Sequence, residues 1–150
     1  MAIGRPSRHT GGMVSALNTY PLITTPLWKE CGAFYRQYFG MAVVFEANWI
    51  VMLSRPRDDA ISLGFMSPDH PSRPPGPEPF AGTGMIVTVE VAGAADAFAQ
   101  LSEGGAPIVY NLHREAWGQN RFMVRDPAGT LVDVVEQTEP APGFWEKYLE

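Results

Sequence analysis

The chain has a single cysteine, Cys31, in 150 residues, which excludes an internal disulfide framework and a cysteine-built zinc site. Charged residues are only 18% of the composition, they form no long basic run, and the net charge is −5. That balance argues against a nucleic-acid-binding protein. Long hydrophobic runs are missing too: nothing approaches the ~20 apolar residues of a membrane helix. The first residues carry Arg5 and Arg8 without the apolar stretch of a secretory leader. The expectation is a cytoplasmic protein with no membrane and no nucleic-acid partner. Apolar residues, by contrast, are plentiful at 45%, and 14 prolines and 15 glycines accompany them. This is enough for a real core, at a length suited to one domain, and the Pro and Gly content stays below the level of disordered chains.

Residues 1–17 show little hydrophobic periodicity and read as a mobile tail. Tyr20-Pro21-Leu22-Ile23-Thr24-Thr25 reads as a short strand. Thr25-Pro26 then looks like a helix start, a hydroxyl followed by proline at the first helical position. Leu27, Cys31, Phe34, Tyr35 and Tyr38 form one helical face, and Gly40 ends it. Strand-like runs follow at 41–46, 49–54 and 60–66, completing a first βαβββ module over residues 18–67. Residues 68–83 hold six prolines in their first twelve positions and read as a stiff connector.

The order then repeats over 84–138. Strand 85–91 is followed by a short helical stripe at Ala94, Ala97, Phe98 and Leu101, stopped by Gly104-Gly105. Strand-like runs follow at 107–112, 121–125 and 130–136. Asp126-Pro127-Ala128-Gly129 fits a type I turn followed by a left-handed glycine, closing a tight hairpin. Each half is too small to bury a core alone, so the two modules are expected to form one domain. Residues 139–150, with Phe144, Trp145, Tyr148 and Leu149 after Pro140 and Pro142, form a C-terminal segment that reads as a short helix docking on the body or on a partner, or as a lid over the cup.

The two βαβββ modules, Phe34-Tyr35 followed by Phe39-Gly40, Trp117-Gly118 and the closing 125–136 stretch together resemble the vicinal oxygen chelate superfamily. This group holds glyoxalases, extradiol dioxygenases, fosfomycin-resistance enzymes and bleomycin-resistance binding proteins. The resemblance implies an α+β fold with an eight-stranded, partly open barrel around a cup, and a homodimer. In metal-using members four strand positions supply His, Glu or Gln to a divalent cation. By the resemblance these fall on Tyr20, on Ser62 or Gly64, on Ile86 and on Asp133. One carboxylate, a phenol, an aliphatic side chain and a Ser or Gly make a poor set for such an ion. No metal and no other cofactor is therefore expected.

Strand alternation sorts the faces. With Tyr20 and Asp133 turned inward, Ile86, Thr88 and Glu90 also line the cup, together with Leu131 and Val135. Val87, Val89, Val132 and Val134 then form the core behind it. A bulged hairpin register sets Met123 opposite Asp133, with Arg121 and Arg125 on the same face. Trp49 and Trp117 belong at the rim or floor. The candidate ligand-binding residues are Tyr20, Trp49, Ile86, Thr88, Glu90, Trp117, Arg121, Met123 and Asp133. Asp133 and Arg121 lie diagonally across the hairpin, as a structural ion pair or as ligand-orienting groups. Trp117 lines either the cup or a dimer seam. His113 reads as a solvated loop residue and Cys31 as core.

Such a mixed wall suits a small organic molecule. The leading expectation is a metal-independent protein that binds or sequesters a small ligand, similar in character to the bleomycin-resistance proteins. The alternatives are a glyoxalase-, isomerase- or dioxygenase-type enzyme with an unusual metal site, and a structural dimer whose cup is filled by its own side chains. The sequence leaves open whether the chain catalyses anything.

Overall fold

The computed structural model describes residues 14–71 and 78–149. Residues 1–13 of the tail, and Pro74, Pro75 and Pro77 of the connector, lie outside the described residues. The chain divides into two compact units, residues 1–79 and 80–150. The first runs β1 (Leu22–Thr24), α1 (Trp28–Phe39), β2 (Ala42–Glu46), β3 (Ile50–Ser54), β4 (Ile61–Met66). The second runs β5 (Ile86–Glu90), α2 (Ala94–Glu103), β6 (Ile108–Glu115), β7 (Gln119–Arg125), β8 (Leu131–Gln137), and a short 3₁₀ turn at Glu146–Tyr148. This is the βαβββ order twice, an α+β architecture.

Each unit builds a four-stranded sheet, ordered β1-β4-β3-β2 in the first and β5-β8-β7-β6 in the second. The first strand of each pairs in parallel with the last, and the other pairs are antiparallel. Strand pairing among the described residues thus gives two separate sheets, not a closed eight-stranded barrel.

In the first unit Ile23, Phe65 and Val51 stand in one cross-strand row, and α1 covers it. Tyr35 stacks on Phe65 at 5.5 Å. Gly32 faces Val51 so closely that a Cβ would lie 3.0 Å from its methyl. Burying such large side chains contributes about 1.5–3 kcal/mol each. The helix starts later than the sequence suggests. Thr25 Oγ1 accepts a hydrogen bond from the Leu27 amide at 3.1 Å, spending that turn on an ST motif. Leu27 is therefore exposed and Trp28 takes the buried position instead. Gly40 closes the helix in the left-handed conformation.

In the second unit Val132, Val134, Phe122 and Val124 are fully buried on the helix-facing side, with Phe98 of α2 edge-on to Phe122 at 5.2 Å. The β7–β8 turn is held by Asp126, whose Oδ1 accepts from the amides of Ala128 and Thr130, both at 2.9 Å. Gly129 takes φ +88° there. That leaves the opposite face of the second sheet to carry polar chemistry.

Candidate functional site

Three cross-strand rows build this face, open along its first row and buried at Asp133 and Val135 in the other two. Ile86, Leu131 and Arg125 form the first, Thr88, Asp133 and Met123 the second, and Glu90, Val135 and Arg121 the third. Six of the nine expected residues thus share one face: Ile86, Thr88, Glu90, Arg121, Met123 and Asp133. Trp117 joins them from the β6–β7 turn, its ring 4.9 Å from the Arg121 guanidinium. Tyr20 and Trp49 belong to the first unit. Tyr20 precedes β1, outside any strand, and is 41% exposed. Trp49 stacks on His70 with ring centres 4.5 Å apart.

Arg121 is the hub. Its guanidinium lies over Tyr110 at 5.3 Å as well as over Trp117, a cation–π sandwich. Nη1 donates to Asp133 Oδ2 at 3.4 Å, and Nε lies 3.9 Å from Glu115 Oε1. The Tyr110 hydroxyl donates to that same Glu115 oxygen at 2.9 Å. One cation therefore serves two carboxylates. Asp133 is buried, and its Oδ1 and the Arg121 Nε have no hydrogen-bond partner among the described residues. Burial pushes the Asp133 carboxyl above the usual range, Arg121 pulls it back, and the charge of Glu115 adds a further upward push.

A polar chain runs along the same end. Trp117 Nε1 donates to Gln119 Oε1 at 2.9 Å, and Gln137 Nε2 donates to Glu90 Oε1 at 3.2 Å. The C-terminal segment backs Trp117: the Trp145 indole donates to the Trp117 carbonyl at 2.9 Å, and Phe144 packs against the Trp117 ring.

Sequence reasoning missed Tyr110 and Glu115, and it placed His113 in a loop. All three lie on β6. Register shifts between Ile108 and Tyr110, and again between Tyr110 and His113, interrupt the ladder. Ile108 pairs with Val124 of the core face, whereas Tyr110 pairs with Met123 of the open face. A bulge has turned Tyr110 over, and His113 stacks on it at 4.4 Å.

Comparison with known proteins fits this architecture. A family model described as Glyoxalase/Bleomycin resistance protein/Dioxygenase superfamily matches residues 28–134. The chain belongs to that superfamily. Solved structures of the superfamily's fold resemble it over most of their length. Lactoylglutathione lyase from Agrobacterium tumefaciens is 20% identical, with a TM-score of 0.64 over 82% of this chain and 95% of that one. TioX from Micromonospora sp. ML1 is 17% identical, at TM-score 0.61 over 80% and 99%. A bleomycin resistance determinant encoded on the transposon Tn5 is 20% identical, at TM-score 0.57 over 81% and 98%. At these identities the likeness shows the fold alone. No curated protein matches the sequence.

Metal-using members of the superfamily set a test for the residues at their ligand positions. Ile86 offers no donor atom. At Gly64 the space of a side chain is filled by Met52, whose sulfur would lie 2.6 Å from a Cβ. Asp133 is held by a guanidinium, which repels a second cation. Tyr20 and Ser62 offer hydroxyl oxygens. This donor set does not fit a divalent metal. Among the described residues no three His, Cys, Asp or Glu side chains converge as a ligand set.

Proposed function

We propose that this protein binds a small organic molecule on the open face of the second sheet without a metal, sequestering it. One observation supports this reading above the others: at Asp133, a position where metal-using members carry a ligand, the carboxylate is engaged by Arg121. The Arg121 centre is held from four sides by Tyr110, Trp117, Glu115 and Asp133, so it is rigid before any ligand arrives, and preorganisation lowers the cost of binding. Aromatic faces supply contact area, and the two carboxylates and the guanidinium supply direction. The working form is a homodimer. Its support is edge strand β2 of the first sheet, where Phe45 stands 56% exposed beside an exposed Val44, since apolar edges invite pairing.

The deciding experiment is elemental analysis of protein purified without chelator, with Zn²⁺, Ni²⁺, Mn²⁺ and Fe²⁺ titrated by calorimetry. The expected outcome is substoichiometric metal and no saturable uptake. Near-stoichiometric metal that disappears in Asp133→Ala would overturn the reading and make a metal enzyme the better one.

A further inference from the structure

A groove of about 570 Å³ opens at the Ile86 end of the same face, lined by residues 82–86, Arg125 and Leu131. Its size is within the range that holds small molecules. One wall is set by glycine. Gly82 and Gly84 both take positive φ, and a Cβ on Gly82 would lie 3.0 Å from the Gly129 carbonyl oxygen. The chain entering β5 is thereby pressed against the β7–β8 turn, and a larger residue at position 82 would force the two apart. The floor is apolar. Ile86 and Leu131 are partners across β5 and β8, Leu131 is half-buried, and Ile86 is 51% exposed, so the pair presents apolar surface to the groove.

The remaining wall carries a single charge. Arg125 is the cross-strand partner of Leu131. Its Nη1 donates to the Gly129 carbonyl at 2.9 Å, which anchors the side chain beside the groove. No carboxylate pairs with it among the described residues, in contrast to Arg121. Among the described residues its other donors meet no hydrogen-bond acceptor.

An apolar floor with one uncompensated guanidinium at its edge matches one chemistry. A hydrocarbon alone would leave the cation unused, and an amine would be repelled by it. We propose that this groove binds an apolar monocarboxylate, its carboxylate on Arg125 and its hydrocarbon body across Ile86 and Leu131. The guanidinium fork donates to both oxygens of such a group. The inference rests on the open face being a ligand surface and adds the class of ligand that this end selects.

The test uses the full chain with labelled Ile, Leu and Val methyls, titrated at neutral pH with octanoate, octanol and octylamine. Octanoate should shift the Ile86 and Leu131 methyls saturably and bind about five-fold tighter than octanol, the yield of one exposed ion pair. Octylamine should be weaker still. Arg125→Gln should remove the advantage of octanoate and leave octanol unchanged, and Arg125→Lys should restore part of it. Arg125 is exposed, so both variants keep the fold, which unchanged methyl signals from buried Val132 and Val134 would confirm. Equal affinity for octanoate and octanol, no effect of Arg125→Gln, or no shift at Ile86 and Leu131 would each overturn the proposal. Those results leave the metal titration untouched, so the two readings fail separately.

Discussion

Asp133 makes the molecule sensitive to acidity in a direction opposite to that of most paired carboxylates. Its folded-state pKa is raised, chiefly by burial, so the folded chain holds a proton at pH values where the unfolded chain has released it. The contribution of Asp133 to stability is then fully present below the unfolded pKa and is lost as pH rises through the folded one. Asp133→Asn should flatten that decline, measured by thermal melts at steps from pH 4 to 7; a steeper decline in the variant would contradict the assignment. A neighbouring pair tests which face is which. Val132 is fully buried beside Phe122 and Val124, while Leu131 is half-buried on the open side opposite Arg125. Val132→Asp should cost about 4 kcal/mol or more, much of a typical domain's stability, and should unfold the chain or abolish soluble expression. Leu131→Asp gains a cation across the hairpin and should cost about 1 kcal/mol. Denaturant melts that rank position 131 as the worse of the two would invert the faces.

At the scale of elements, the segment after β8 is a strap on the β6–β7 turn. Thr138 donates to the Gly118 carbonyl at 2.7 Å and Ala141 to the Ala116 carbonyl at 2.8 Å, while Trp145 and Phe144 hold Trp117. Trp145→Phe keeps an aromatic side chain and deletes the indole donor, so it should loosen Trp117 at a cost of about 1 kcal/mol. The fluorine resonance of fluorotryptophan-labelled Trp117 should shift; an unmoved resonance would show that the turn holds Trp117 alone. Much of this element order was legible beforehand, because alternation and glycine stops are local signals. The Asp126–Gly129 turn is plain from its four residues. The Arg121–Asp133 pair follows from alternation once that turn fixes the register. Tyr110 was hidden because a bulge is a mismatch between two strands, and strict alternation carries Tyr110 with Ile108. Leu27 was misplaced because the Thr25 hydroxyl serves a turn as readily as a helix cap. The partners of Trp49 and the C-terminal strap depend on contacts that no periodicity reports.

For the whole molecule, the proposed homodimer is the reading that a measurement of mass tests most directly. Phe45 and Val44 lie on an outer strand of the first sheet and are exposed together. Light scattering at micromolar concentration should give twice the 16.5 kDa chain mass, and Phe45→Glu should give the single mass with the melting profile retained. A wild-type protein that scatters as one chain would remove the dimer from the functional reading. The parallel pairing of first and last strands has a different consequence, for the nascent chain. All four strands of the first sheet have been synthesised by Met66, but β5 waits for β8 until synthesis reaches Leu131–Gln137. Through that interval Val87 and Val89 lack Val132 and Val134 beside them, and non-local pairing of this kind is slow. A polypeptide released before Leu131 carries an uncovered valine-rich edge, the form that chaperones hold and that aggregates when they do not.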